Sequence, residues 1–154
     1  MLVRASLEVA PKQDGMNKQF NLQRFVDAQT RIIDHVCSEL RAGRKLSHWM
    51  WFIFPQIIGL GSSMMAQKFA ISSLAEAAAY LDHPVLGSRL RTCTLLVNAI
   101  EGRSIEEVFG YPDHLKFHSS MTLFAQAAPD EPAFQTALQK FFGERLDQLT
   151  LDRL

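Results

Sequence analysis

Ser47 to Ser63 reads SHWMWFIFPQIIGLGSS, and the way this stretch folds decides the class of the whole chain. His48, Trp49, Trp51, Phe52, Phe54 and Pro55 crowd into eight residues. Aromatic and β-branched side chains suit a buried strand. Ser47 equally suits the cap of a short helix over 48–53. Pro55 stops either element near Phe54. Gly59 and Gly61 are free to take positive φ, so a turn follows. GLGSS lacks the Gly-Lys-Ser/Thr ending of a phosphate loop.

Elsewhere in the chain no run of alternating strands occurs, and the surrounding segments read as helices. Upstream, Phe25, Ile32, Val36 and Leu40 recur at helical spacing, with Ala28 and Ile33 alongside. That stripe predicts one helix over about 22–41, capped by Asn21 and ended by Gly43. Downstream, a helix is predicted over 63–71. Ser73 and Glu76 form a capping box ahead of an alanine-rich helix, and Ser104 with Glu107 forms another. Pro84 suits the first turn of a helix over 84–100. Asp113 and Asp130 are placed to cap two further helices, and Leu146, Leu149 and Leu154 mark a terminal one. The reading is all-α: a compact bundle of about eight helices in one domain over 21–154, after a poorly ordered lead-in over 1–20.

Composition narrows the function. The chain has 154 residues, 47% hydrophobic and 21% charged, enough for a sizeable core without staples. Lys plus Arg and Asp plus Glu both number 16, so there is no excess charge for general nucleic-acid binding. No apolar run reaches the ~18 residues of a membrane span. Cys37 and Cys93 fall on predicted helix interiors without metal-ligand spacing and read as reduced, buried thiols. Cytoplasmic location is the expectation, with neither metal nor cofactor.

Two stretches carry the chemistry. In the first, Trp49 and Trp51 lie two apart and so face different directions on a helix. Either one packs inward while the other lines a groove, or all the aromatics are core. His48 beside them is a switchable donor or a hydrogen-bonded structural group. The second stretch is Phe109 to Phe124, FGYPDHLKFHSSMTLF. His114 and His118 are four apart, the spacing of two ligands on one helix face, but HLKFH lacks the glutamate of the HExxH zinc motif. Ser119 and Ser120 adjoin His118 without the GxSxG elbow of a nucleophilic serine. Lys116 with the hydroxyls of Ser119, Ser120 and Thr122 suits a phosphate or carboxylate.

HWMWFIFPQ, GLGSS, EAAAYL, HPVLGSRL, FGYPDHLK and SSMTLF occur in that order. Together they resemble the domain of unknown function 1810 family, small bacterial proteins of which some carry the label calpastatin. Unlike calpastatin's inhibitory segments, this chain is patterned to fold throughout. The resemblance runs from about residue 25 to 142 and implies a multihelical single domain with no established activity. It adds Gln56 to the motif positions, beside His48, Trp49, Trp51, Asp113, Lys116, Ser119, Ser120 and Thr122. Ala66 to Phe69, AQKF, is also similar to a stretch in N-glycosidases acting on ADP-ribose-like compounds.

Three functions follow as expectations. The first is a module binding a small anionic or nucleotide-like ligand, or a protein segment, between the two stretches. His48, Trp49, Trp51, Gln56, Lys116, Ser119, Ser120 and Thr122 would form its site. The second is an enzyme on a nucleotide or ADP-ribose-type substrate, with Asp113 or Glu76 as acid or base. The third is a structural or oligomerising protein whose motif residues only pack the core. The exposure of Trp49, Trp51, Lys116 and Ser119 separates them.

Overall fold

A computed structural model describes residues 11–154, with side chains from Gly15 onward. Among the described residues there are eleven helices rather than about eight. They are α1 (Pro11–Phe20), α2 (Gln23–Thr30), α3 (Ile33–Arg41), α4 (Met50–Ile53), α5 (Met64–Lys68) and α6 (Leu74–Asp82). They continue with α7 (Leu86–Asn98), α8 (Ile105–Phe109), α9 (Asp113–Ala127), α10 (Pro132–Phe142) and α11 (Gln148–Leu151). The all-α class holds. The strand alternative for 48–53 does not hold, since Met50–Ile53 is helix α4; an isolated parallel bridge joins Ile57 and Ile71 just beyond it.

One extra helix comes from a break that an apolar stripe hides, and another, α1, lies in the expected lead-in. The helix expected over 22–41 is two, α2 and α3. Thr30 turns its hydroxyl back to the Val26 carbonyl at 2.7 Å, and the Ile32 amide shortens its bond to the Gln29 carbonyl. Such back-bonding competes with the regular ladder. Asn21 is no cap: it takes φ +52 and turns the chain between α1 and α2. Residues 1–10 of the expected lead-in lie outside the described residues. Its second half is α1, whose Met16 and Phe20 pack on the core.

Capping holds where both partners are local. Ser104 and Glu107 form the full box at the start of α8. Ser73 accepts from the Glu76 amide, but the Glu76 carboxylate turns elsewhere, so only half of that box forms. Asp130 does not cap α10. Glu131 takes the position without a side-chain bond, and its carboxylate meets Arg91 at 2.5 Å. Helix α7 begins at Leu86, two residues after Pro84. Gly143 ends α10 in the left-handed conformation its φ of +58 requires.

Helix α9 lies at the centre, packed against α6, α8, α10 and α11, while α7 packs on α3, α6 and α10. Two aromatic clusters join these layers: in one Phe54, Phe109 and Phe117 meet mutually, and in the other Tyr80 bridges Phe25 and Phe124. Each such pair adds ~0.5–1.5 kcal/mol beyond simple burial. Cys37 and Cys93 are buried free thiols, as expected. Burial, with Cys37 beside it, pushes the Cys93 thiol well above its ordinary range. No helix among the described residues is long and apolar enough to cross a membrane.

Candidate functional site

The aromatic stretch is pinned from behind by a buried carboxylate. Glu39, 5% exposed on α3, accepts from the amides of Leu46 (2.5 Å) and Ser47 (2.9 Å), the Ser47 hydroxyl (2.7 Å) and Trp49 Nε1 (3.1 Å). Burial alone would raise its pKa. The Ser47 hydroxyl, the two amides and the indole together overcome this and hold it at about 2, below an ordinary 4.5. Ser47 therefore does not cap α4; its hydroxyl and amide are spent on Glu39. Trp49 follows Glu39 inward, fully buried against Phe54 and Phe109. It belongs to the core and offers no stacking face to a ligand. His48 is exposed on the outer side of the same turn.

Trp51 takes the other direction. It is half-buried, and the Lys116 ammonium lies over its ring, 5.2 Å from the centroid. Here the two chemical stretches touch. Asp113, in the first turn of α9, does not cap it. Its carboxylate meets Lys45 at 2.7 Å and Lys116 at 3.6 Å. Two ammoniums thus share one carboxylate, and the nearer lysine has the stronger hold on it.

The histidines of α9 part company. His114 reaches the Gly110 carbonyl and Glu106, both at 3.2 Å. His118 stacks on Phe142 at 4.0 Å, with Nε2 2.7 Å from the Arg145 carbonyl. Among the described residues, no group of three or more His, Cys, Asp or Glu side chains is placed to hold a metal ion. Ser119 shares its hydroxyl between the Leu115 carbonyl (3.1 Å) and Asp147 Oδ2 (2.9 Å). Thr122 accepts from the Asp147 amide at 2.9 Å. Asp147 Oδ2 also accepts from Thr150, capping α11. The two hydroxyls therefore dock the C-terminal helix onto α9. Ser120 is fully buried, and its hydroxyl has no hydrogen-bond partner among the described residues.

Glu76 serves a third role. Its buried carboxylate accepts from Arg24 at 3.0 Å and from the Ser72 amide and hydroxyl at 2.9 and 2.8 Å. Arg24 also holds the carbonyls of Phe20, Asn21, Lys68 and Ala70. This junction ties α2 and the 68–72 segment to α6 and leaves no free carboxyl oxygen for proton transfer.

A cleft of about 460 Å³ opens between the two stretches. Gln56, Leu60, Gly61, Ser62, Ser63 and Ala66 form one wall, and Pro112, Leu115, Lys116, His118 and Ser119 the other. Asp147 and Leu149 close a third side. Of the residues singled out in the sequence, Gln56, Lys116 and Ser119 meet here, and Trp51 adjoins through Lys116. Trp49, Ser120 and Thr122 lie in the core, His48 is on the surface, and none of these lines the cleft. The turn that shapes the first wall is bounded by Gly59, at φ +96. A Cβ there would collide with the guanidinium of Arg153, which rests on it. Asp147 and Leu149 were missed as site residues. The only local signal near them is Asp147 standing three residues before Thr150, a cap pattern that says nothing about a cleft.

Residues 19–154 match the family described as protein of unknown function DUF1810. The chain belongs to the DUF1810 family. Among solved structures, it is similar to the conserved hypothetical protein Rv1873 from Mycobacterium tuberculosis, at 55% identity and a TM-score of 0.87. That similarity covers 88% of this chain and 97% of the mycobacterial one. A search of curated proteins finds no match. The span matched by DUF1810 takes in all three walls of the cleft, including the C-terminal helix.

Proposed function

We propose that the cleft binds a small anionic ligand, with Lys116 supplying the charge that holds it. The observation that carries this reading is the sharing of Asp113. Lys45 is nearly buried and holds the carboxylate at 2.7 Å. Lys116 stands farther off at 3.6 Å, is more exposed, and lines the cleft. Its charge is therefore incompletely neutralised where a ligand would enter. Gln56 and the hydroxyls of Ser62 and Ser63 offer neutral hydrogen bonds opposite.

The enzymatic alternative has less support. Glu76 is committed to Arg24 and Ser72, and Asp113 is held by two lysines as a structural anion. Trp49, Thr122 and Ser119 serve the fold, which accounts for part of the motif without a ligand. The buried free thiols suit a reducing compartment, and we place the protein in the cytoplasm on that basis.

The test is a thermal-shift series with inorganic phosphate, AMP and ADP-ribose on the wild type and Lys116→Gln. A ligand at about a hundredfold its Kd stabilises by ~2.7 kcal/mol, a readable rise in Tm. The expected result is a rise for at least one anion that Lys116→Gln removes. No rise with any of the three defeats the reading.

A further inference from the structure

We infer that the ligand of this cleft is an amphipathic anion: a phosphate or carboxylate carrying an apolar body of several carbons. The inference rests on the reading of the cleft as an anion site and goes further by fixing what surrounds the charge. Lys116 is the only lysine or arginine among the cleft-lining residues. Around it the wall is more apolar than polar, and Leu60, Leu115 and Leu149 come from three separate segments to build it. Leu115 is 48% exposed and Leu149 is 66% exposed.

Exposed leucines are unremarkable one at a time; leucines brought together on facing walls form a surface that gains by being covered. A compact, fully polar anion such as phosphate would leave them in water. A ligand with an apolar tail would satisfy Lys116 at one end and cover the leucines with the other. The volume suits such a molecule, since small-ligand sites run from ~300 to 1,000 Å³ and combine apolar walls with few polar groups. Leu149 is available for this because Ser119 and Thr122 hold Asp147, which fixes α11 against α9. Asp147 accepts at Oδ2 from the neutral hydroxyls of Ser119 and Thr150, so its carboxylate is held toward α9 and α11, and the negative charge it keeps on this side leaves Lys116 as the point where an anion is held.

The experiment is a titration with inorganic phosphate, methyl, butyl and octyl phosphate, all below micelle-forming concentrations, followed by amide chemical shifts. Octanol serves as the uncharged control. Affinity is expected to climb along the series, by up to about fourfold per methylene that becomes buried. Shifts should concentrate at Ser62, Leu115, Lys116 and Leu149. Leu149→Ser, at an exposed position outside the core, should flatten the climb, with a much smaller effect on inorganic phosphate than on octyl phosphate. Lys116→Gln should weaken every phosphate and leave octanol unchanged.

A flat series with phosphate still bound through Lys116 overturns this inference and leaves the anion site standing. Equal binding of octanol and octyl phosphate overturns it from the other side. No binding of any phosphate removes the anion site along with it. Vesicles of phosphatidylglycerol distinguish a free ligand from a lipid surface: pelleting with vesicles, without binding of monomeric octyl phosphate, overturns the free-ligand assignment.

Discussion

The indole of Trp49 donates to the carboxylate of Glu39 at 3.1 Å, both groups sealed from solvent. This contact chooses between the two tryptophans. Trp49 is drawn inward, and Trp51, two residues on, is left beside Lys116 at the cleft. The carboxylate also sets a pH limit. Its pKa is depressed to about 2, so its stabilising effect is complete above the ordinary value of 4.5 and fades as pH falls toward 2. A depression of this size corresponds to about 3 kcal/mol. Urea midpoints measured between pH 6 and 2 should fall most steeply below pH 4.5. Glu39→Gln should cost about 2–4 kcal/mol at neutral pH and make that part of the fall shallower. An unchanged acid profile in the variant would mean other carboxylates dominate.

Ser119 and Ser120 should separate sharply in spite of adjacency. Ser119→Ala removes a bond to Asp147 and should lower stability by about 1 kcal/mol, with faster amide exchange in α11. Ser120→Ala deletes a buried hydroxyl that has no partner among the described residues and should be neutral or stabilising. Differential scanning calorimetry of the two variants decides. A marked loss in Ser120→Ala would reveal an unseen partner.

Asp113→Asn distinguishes a binding module from an enzyme. The substitution removes the carboxylate that competes for Lys116, so anion affinity should rise about threefold or more. Were Asp113 an acid or base on an ADP-ribose-type substrate, turnover would instead collapse. Calorimetric titration beside a product assay reads both quantities on one sample.

Glu76→Gln should behave as a structural lesion. It leaves the Arg24 guanidinium, in contact with four carbonyls, without its counter-charge. Removing one member of a buried pair typically costs ~3–5 kcal/mol. A chemical-denaturation curve shifted by that much, with ligand affinity per folded molecule unchanged, is the expected outcome. Wild-type stability in this variant would show that the junction is dispensable.

What the sequence made legible follows the range of the interactions involved. The Ser104–Glu107 box needs only a span of four residues and forms as read. The class was legible because the apolar stripes keep helical spacing even where α2 and α3 divide. Gln29 and Glu39 were opaque: their burial depends on Phe52, Tyr80, Leu46 and Trp49, which only the folded chain brings close. The hydroxyls of Ser119 and Thr122 suggested a ligand, yet their partner is Asp147, 28 and 25 residues along the chain. Two walls of the cleft could be anticipated from their motifs. The third, Asp147 and Leu149, carries no motif and was invisible.

That third wall has a bearing on biogenesis. Every other residue lining the cleft lies at or before Ser119, while Asp147 and Leu149 come almost thirty residues later. In chain order, the residues of both other walls are all added before Asp147. The cleft is then open on one side, and Ser119 and Thr122 face water where Asp147 will sit. Ligand capture in its final form must wait for that segment to emerge. A chain truncated before Asp147 would lack the third wall and leave Ser119 and Thr122 without their Asp147 partner.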